Sequence, residues 1–450
     1  MISRHLDKII ENHYVSSKSA LLLTGARQVG KTIAIRKYAQ KAEMVLVEIN
    51  FYEDAEARNI FIGAQNVGDV LLRISAHTRK RLVPGKTLIF FDEVQKYPDV
   101  VTWMKFLVDE GSYHYALSGS LLGVELKDIR SIPVGSMDVI DVYPLTLEEF
   151  ARAVGVSDAV LDSIRYAWED RKPVDAVVHD SMMRVVALYL LVGGMPAVVQ
   201  TYIDTNDMQS VRAKQEEILK LYHWDIAQYD PENKLYIDDI FELIPSELNA
   251  KNKRFILKDL NEHRQFSRHE NGFVWLRDAG VALPTYNVEE PRVPLKLSEL
   301  RSLFKLFQND VGLLAAQYAQ EIAMQILTGK VNINYGAIYE NFVAQELKAN
   351  GWKLHYFNSK KQGEVDFLLE ENGTIRPIEV KSGKDYHRHS ALTNLLSTEE
   401  YGINEALVLN NGNLEMRGNV LYAPIYMTMF LNKSHVQGGT HFVLDMNGLR

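Results

Sequence analysis

The sequence predicts a multidomain α/β protein, and three observations carry that expectation. The chain has 450 residues, more than one ordinary hydrophobic core holds. Its first part alternates short apolar runs with helical stretches, the pattern of a parallel sheet covered by helices. Near its end, two strand-like segments alternate apolar with charged residues.

Composition fits a folded protein: 46% of residues are hydrophobic and 24% charged. There are no cysteines, which excludes disulfides and thiolate ligands and suits a reducing, cytoplasmic setting. The opening residues, Met1 to Ile10, mix charge with apolar residues and lack the pattern of a signal peptide. The longest apolar run, Val185 to Val199, is broken by Gly193, Gly194 and Pro196, so no membrane partner is expected. A net charge of −8 restricts any nucleic-acid contact to local patches.

Ala20 to Thr24 reads as a buried strand and leads into Gly25-Ala-Arg-Gln-Val-Gly30-Lys31-Thr32. This fits G-x-x-x-x-G-K-[ST], with a helical stretch after it. Glycines let backbone N–H groups curl around phosphates, and the helix N-terminus adds its dipole. Lys31 is expected on the β- and γ-phosphates, and the Thr32 hydroxyl on Mg²⁺. The expected cofactors are therefore ATP and Mg²⁺. A second buried strand, Thr87 to Phe91, ends in Asp92-Glu93; Asp92 would hold the Mg²⁺ shell and Glu93 would polarise the attacking water. A third, His114 to Leu117, ends in Ser118-Gly119-Ser120, placing Ser118 for contact with the γ-phosphate or the water.

Gly-Ala-Arg-Gln-Val-Gly-Lys-Thr, Phe-Phe-Asp-Glu-Val-Gln and Leu-Ser-Gly-Ser together resemble a group of prokaryotic AAA+ ATPases. In that group a P-loop module precedes a C-terminal region of unknown function whose last part is similar to PD-(D/E)XK nucleases. Further along, Tyr143 to Phe150 resembles the segment that closes the ATPase core. Gly193-Gly194-Met195-Pro196 resembles the glycine–proline motif of the helical lid, which implies Gly194 and Pro196 near the adenine. Ile244 to Phe255 and Lys305 to Leu313 resemble the group's winged-helix region. The resemblance implies an AAA+ core at 1–150, a helical lid at 151–235, a winged helix at 236–312 and a nuclease-like α/β domain at 313–450. It also leaves homo-oligomers open.

One position departs from the group. Where its members carry Gly-Arg, this chain has Gly135-Ser136. Arg130, or Arg27 inside the P-loop, is the available substitute for the arginine that stabilises developing charge, and slow turnover is the alternative.

At the C-terminal end, Gly336 to Leu347 reads as an amphipathic helix, with Ile338, Phe342, Val343 and Leu347 on its apolar face. If the strands around Asp366 and Glu379 pair as a hairpin, Asp366, Glu379 and Lys381 share a face. The nuclease resemblance then implies a second Mg²⁺ or Mn²⁺ held by Asp366, Glu379, the Val380 carbonyl and Glu340, with Lys381 acting on the water. The same spacing also describes a strand face carrying an ordinary ion pair. The basic residues Lys251, Lys253, Arg254, Lys258, Arg264 and Arg268, and a rim of Lys348, Lys353, Lys360, Lys361, Lys384, His387, Arg388 and His389, read either as phosphate contacts on DNA or as solvated surface. His179 and His223 read as ordinary histidines, not ligands.

Two functions follow as expectations. One is an ATPase that couples nucleotide state to DNA processing by the C-terminal domain. The other is a slow nucleotide switch whose nuclease-like domain only binds a partner.

Overall fold

The computed structural model describes residues 2–120, 135–229, 234–250, 266–318, 336–383 and 385–433. The N-terminal part is built on five strands: β1 (Ala20–Thr24), β2 (Val45–Asn50), β3 (Thr87–Asp92), β4 (His114–Ser118) and β5 (Met137–Asp141). They lie in the order β2-β3-β4-β1-β5, and all neighbours are parallel. β3 is buried throughout, as its run of apolar residues requires of a central strand. Register sets Leu23 beside Ser118 and Asn50 beside Asp92, so the polar strand ends share one edge of the sheet. Ligands of such sheets bind at that carboxyl edge.

Helices α1 (His5–Ser16), α2 (Lys31–Lys41), α3 (Val67–Thr78) and α4 (Val100–Glu110) accompany the sheet. Tyr14 of α1 stacks on Tyr38 of α2 at 4.8 Å and donates to the Tyr115 carbonyl of β4 at 3.0 Å. Helix α5 (Leu147–Ala153) opens on a capping box in which Thr146 and Glu149 satisfy each other's backbone N–H.

Four helices follow: α6 (Asp158–Glu169), α7 (Ala176–Val192), α8 (Pro196–Thr205) and α9 (Met208–Tyr229). Pro196 occupies the first position of α8, where its missing N–H costs nothing. Among the described residues no single helix is long and apolar enough to cross a membrane; α7 and α8 together reach the length only as a pair bent by 117°.

The chain continues through α10 (Lys234–Asn249), α11 (Phe266–Asp278), β6 (Ala282–Val288), β7 (Glu299–Gln308) and α12 (Val311–Ala316). Then come α13 (Gly336–Ala349), β8 (His355–Ser359), β9 (Gly363–Glu371), β10 (Thr374–Val380), α14 (Ser390–Leu396), β11 (Ala406–Asn410), β12 (Glu415–Arg417) and β13 (Val420–Pro424). These strands form one mixed sheet in the order β12-β13-β11-β10-β9-β8-β6-β7.

Two expectations change here. The winged helix expected at 236–312 is not a self-contained unit, because the β6–β7 hairpin inside those bounds belongs to the C-terminal sheet. β6 pairs in parallel with β8, Tyr286 beside His355, which carries the sheet across the expected boundary at 312. Residues 251–265, with five of the basic positions, lie outside the described residues, and nothing is described of the Arg268 side chain.

Helix α13 is not amphipathic in its setting. Every residue from Ala337 to Leu347 is buried, polar ones included. Asn341 accepts from the Gln308 amide at 2.7 Å, Gln345 from the Val311 amide at 2.8 Å, and Glu346 from the Leu147 amide at 2.9 Å. A helix that pairs its polar side chains with neighbouring backbones is buried all round. One apolar cluster accordingly runs from Leu21 of β1 through Val192 and Tyr222 to Phe342 and Leu409.

Candidate nucleotide-binding site

The P-loop connects β1 to α2. Gly25 has φ 132°, and a Cβ there would stand 2.3 Å from the Val142 carbonyl oxygen; only glycine fits. Gly30 precedes α2 in the left-handed region, at φ 95°. Lys31 is buried, and its ammonium donates to the carbonyls of Gly25 (2.9 Å) and Ala26 (2.8 Å) and to Ser120 Oγ (3.1 Å). Burial pulls its pKa down to about 8, against the pull of Glu93 and Asp92.

Thr32 Oγ1 donates to Asp92 Oδ2 at 3.1 Å. Asn50 Nδ2 approaches the same oxygen at 3.3 Å, and the Ser118 hydroxyl donates to Asp92 Oδ1. Burial raises the Asp92 carboxyl, and the bonds from Ser118 and Thr32 oppose that. A hydroxyl and a carboxylate facing each other at the mouth of the P-loop are the hard oxygen donors that a nucleotide-bound Mg²⁺ takes, so Thr32 and Asp92 fit that ion. Glu93 sits at φ 55° and accepts from Gln95 Nε2.

A cleft of about 580 Å³ opens over these groups, lined among others by Arg27, Lys31, Thr32, Glu93, Ser120 and Pro196. That is the size of an ordinary cofactor pocket. Ile2, Ala197, Gln200 and Leu221 extend its lining. Arg4 fixes the N-terminal segment beside the loop by donating to the carbonyls of Val29 and Tyr143, both at 2.8 Å.

Two expected contacts are corrected. Ser118 is spent on Asp92, so the serine that faces the cleft and holds Lys31 is Ser120. Pro196 lines the cleft, but Gly194 lies outside its lining. The Gly194 amide donates to Asp310 Oδ2 at 2.6 Å, and a Cβ on it would stand 2.2 Å from the Leu145 carbonyl oxygen. Gly194 is a packing point.

Arg27 Nε pairs with Asp225 Oδ2 on α9 at 3.0 Å. Burial pushes the Asp225 carboxyl up to about 6, opposed first by Arg27. Sequence reading assigned no role to Asp225, Ser120, Asn50 or Arg4. Asn50 and Ser120 were open to it as polar residues at strand ends; Asp225 closes the segment Leu221 to Asp225, which resembles the group's exit from the lid, but nothing local marks it as the partner of Arg27, and Arg4 carries no local signal. Ser136 is buried, and its carbonyl accepts the Ala20 amide at 2.9 Å. Arg130 lies outside the described residues.

In the C-terminal sheet β9 and β10 pair antiparallel, Ile378 beside Phe367. Asp366, Glu379 and Glu340 are buried and close enough to interact. Burial, then Asp366, pushes the Glu379 carboxyl up to about 8, although Lys381 donates to its Oε1 at 2.7 Å. Asp366 Oδ2 accepts the Val380 amide at 2.9 Å.

The expected metal cage is not formed, however. Among the described residues no group of three or more His, Cys, Asp or Glu is arranged to hold a metal ion. The physical reason is Lys305 of β7, which sequence reading did not single out. Its fully buried ammonium stands 2.7 Å from Glu364 Oε1, 3.5 Å from Glu340 Oε2 and 3.6 Å from Asp366 Oδ1. Burial acts to lower the Lys305 pKa, and Glu340, Asp366 and Glu364 override it, so the ammonium stays charged.

Of the surface groups, His179 meets the Tyr426 hydroxyl at 3.0 Å, and His223 pairs with Asp238 at 2.5 Å, so both are ordinary structural histidines. In the rim, His387 stands 3.5 Å from Glu415 and His389 2.6 Å from the Tyr422 hydroxyl; Lys384 lies outside the described residues.

Three family profiles match the chain. Residues 183–322 match a domain of unknown function (DUF8612), and residues 335–427 match another (DUF4143). The first of these begins within α7 and ends beyond α12, across the expected boundaries at 235 and 312. No curated protein matches the chain. Among solved structures, similarity extends to a Walker-type ATPase of Pyrococcus abyssi (12% identity, 70% of this chain and 96% of that one, TM-score 0.41). It extends also to Cdc6p of Pyrobaculum aerophilum (15%, 73% and 93%, TM-score 0.24) and to Orc1 of Aeropyrum pernix solved in complex with DNA (14%, 73% and 93%, TM-score 0.25). Superpositions this loose carry no argument. The third profile is the informative one: residues 17–151, which hold the whole parallel sheet and the P-loop, match the AAA domain.

Proposed function

We propose that the chain is an ATP- and Mg²⁺-binding switch with slow hydrolysis, in which the nucleotide bound at the P-loop governs the placement of the C-terminal sheet. One arrangement carries this reading. The Tyr222 hydroxyl on α9 donates to the Arg27 carbonyl of the P-loop at 3.4 Å and accepts from Asn309 Nδ2, just after β7, at 3.2 Å. A single side chain therefore touches both the phosphate loop and the end of the hairpin that joins the C-terminal sheet. Arg27–Asp225 ties the same helix to the same loop. Closing the P-loop on phosphate displaces Lys31 from the carbonyls of Gly25 and Ala26 and shifts the backbone on which Tyr222 rests.

Lys31 binds phosphate, Thr32 and Asp92 hold Mg²⁺, and Glu93 orients water in this scheme. Arg27, the P-loop arginine available to stabilise developing charge, is held by Asp225, which keeps turnover slow in this scheme, whereas Ser136 lies at the amino edge of the sheet beside Ala20. The test is full-length protein with a fluorescent ATP analogue. Lys31→Ala should abolish binding, and Glu93→Gln should keep binding while stopping hydrolysis. Tyr222→Phe should bind ATP but lose the nucleotide-dependent change in amide exchange over residues 282–316. Absence of ATP binding in the unmodified protein defeats the proposal.

A second reading, metal-dependent cleavage of DNA by the C-terminal domain with a winged helix as its guide, is favoured by the gathering of Glu340, Asp366, Glu379 and Lys381. Lys305 opposes it. Incubation with Mg²⁺ or Mn²⁺ and linear, nicked and branched DNA, with and without ATP, decides: cutting that Asp366→Ala abolishes establishes that reading.

A further inference from the structure

The carboxylate cluster under the C-terminal sheet already contains a cation. Lys305 lies on β7, three strands from β9 in the sheet order, yet its ammonium reaches Glu364 and Asp366 on β9. Phe307, two residues along β7, packs against Phe367 with ring centroids 5.8 Å apart. The sheet therefore curls until β7 faces β9, with α13 supplying Glu340 to the same point. The Tyr356 ring lies 5.1 Å from the ammonium and adds its negative face.

A fully buried lysine and buried carboxylates are each costly alone and tolerable only together. Three of the oxygens a metal could use already have partners, Glu364 Oε1 in Lys305, Asp366 Oδ2 in the Val380 amide and Glu379 Oε1 in Lys381, while Glu379 Oε2 is buried without a hydrogen bond. A divalent ion needs oxygens at about 2.0–2.6 Å from several sides. Placed between Glu340 and Asp366, it would overlap the ammonium that stands within 3.6 Å of both.

We infer that Lys305 is the built-in cation of this cluster, holding Glu340, Glu364 and Asp366 together where a divalent ion would sit, so that the C-terminal domain keeps a metal-free site. The lysine is joined to β7 and cannot dissociate, so the cluster's charge balance does not depend on metal supply.

The experiment uses full-length Asp92→Asn protein without nucleotide, which disables the Mg²⁺ position at the P-loop, titrated with Mn²⁺ alone while free Mn²⁺ is followed by electron paramagnetic resonance. Only binding that depends on Asp366 counts, measured by difference against the Asp92→Asn/Asp366→Asn protein. The inference expects no such binding up to about 1 mM, the weak end of oxygen-ligand sites. Adding Lys305→Met should create a site for one Mn²⁺ per chain, or a fold that melts in chelator and is restored by Mn²⁺. Asp366-dependent binding with Lys305 in place overturns the inference. So does a folded Lys305→Met protein that gains no Mn²⁺, since the lysine then occupies no cation seat. If Lys305→Met does not fold under any condition, the comparison with lysine present decides alone.

Discussion

Asp310 Oδ2 accepts the Gly194 amide at 2.6 Å while its Oδ1 accepts the Leu313 amide at 3.0 Å. One carboxylate thus caps α12 and fastens the turn between α7 and α8. It is fully buried, and burial pushes its pKa up to about 6, opposed by the backbone bonds it accepts. Each oxygen faces an N–H donor, so asparagine cannot replace it: its NH₂ group would meet one of those donors. Asp310→Ala and Asp310→Asn should each cost about 2–3 kcal/mol, from a lost charge-assisted bond and a lost cap. Urea unfolding of the three proteins checks this, and full rescue by asparagine sinks the account.

Gly194 makes a sharper test of the same turn. A methyl group there would stand 2.2 Å from the Leu145 carbonyl oxygen and 2.8 Å from the Leu145 nitrogen, both backbone atoms. Neither can move without opening the segment that leads into α5. Gly194→Ala should therefore cost on the order of 3 kcal/mol or leave the chain unfolded. Gly383, whose added Cβ meets nothing within 4 Å, is the control, and its alanine variant should melt within about a degree of the unmodified protein. Equal melting temperatures for the two variants would show that the Leu145 contact is not tight.

The parts legible in the sequence were those whose logic is local. The P-loop and the Asp92-Glu93 strand end each lie within a few consecutive residues, and the alternation of strands with helices marks a parallel sheet, though not its strand order or β5. The β9–β10 hairpin, which entered the sequence reading only as a condition, does form, and its signal is local too: Asn372-Gly373, both at positive φ, is the two-residue turn that fixes this register. Burial of α13 was not legible, because the partners of Asn341, Gln345 and Glu346 are backbone groups of Gln308, Val311 and Leu147, which no periodicity reveals. The same holds for Lys305. A lysine in a strand reads as surface, and only the curl of the sheet sets it among carboxylates from β9 and α13.

Arg27 and Asp225 are joined only by the fold, and their pairing should be measurable. Asp225 is buried and Arg27 mostly covered, so the pair escapes the screening that weakens surface bridges. A double-mutant cycle of Arg27→Ala and Asp225→Ala should give a coupling energy of about 1–2 kcal/mol in nucleotide-free protein. With ATP present the coupling should fall, because phosphate competes for the guanidinium that lines the cleft. The readout is thermal or urea unfolding of all four proteins; coupling unchanged by saturating ATP would place Arg27 outside the phosphate's reach.

Glu346 predicts a pH dependence of known sign. Its carboxyl is fully buried between α13 and α5, and burial, with Glu149 and Glu148 nearby, pushes its pKa up to about 8 despite the Leu147 amide that it accepts. The unfolded chain ionises at the ordinary glutamate value, near 4.5. Between those two points the folded state holds a proton that the unfolded state has released, so stability falls as pH rises. Below the lower value, and above the upper one, this residue contributes no slope. At about 1.4 kcal/mol per pH unit of separation, the total is on the order of a few kcal/mol. Glu346→Gln keeps an acceptor for the Leu147 amide and cannot ionise, so its advantage over the unmodified protein should grow from pH 5 to pH 8 and then level off. Taking the difference between the two proteins removes the similar slopes of Asp225 and Asp310, which both retain. Urea midpoints measured from pH 5 to 9 test this, and a constant difference across that range would mean that Glu346 is already ionised in the folded protein at pH 5.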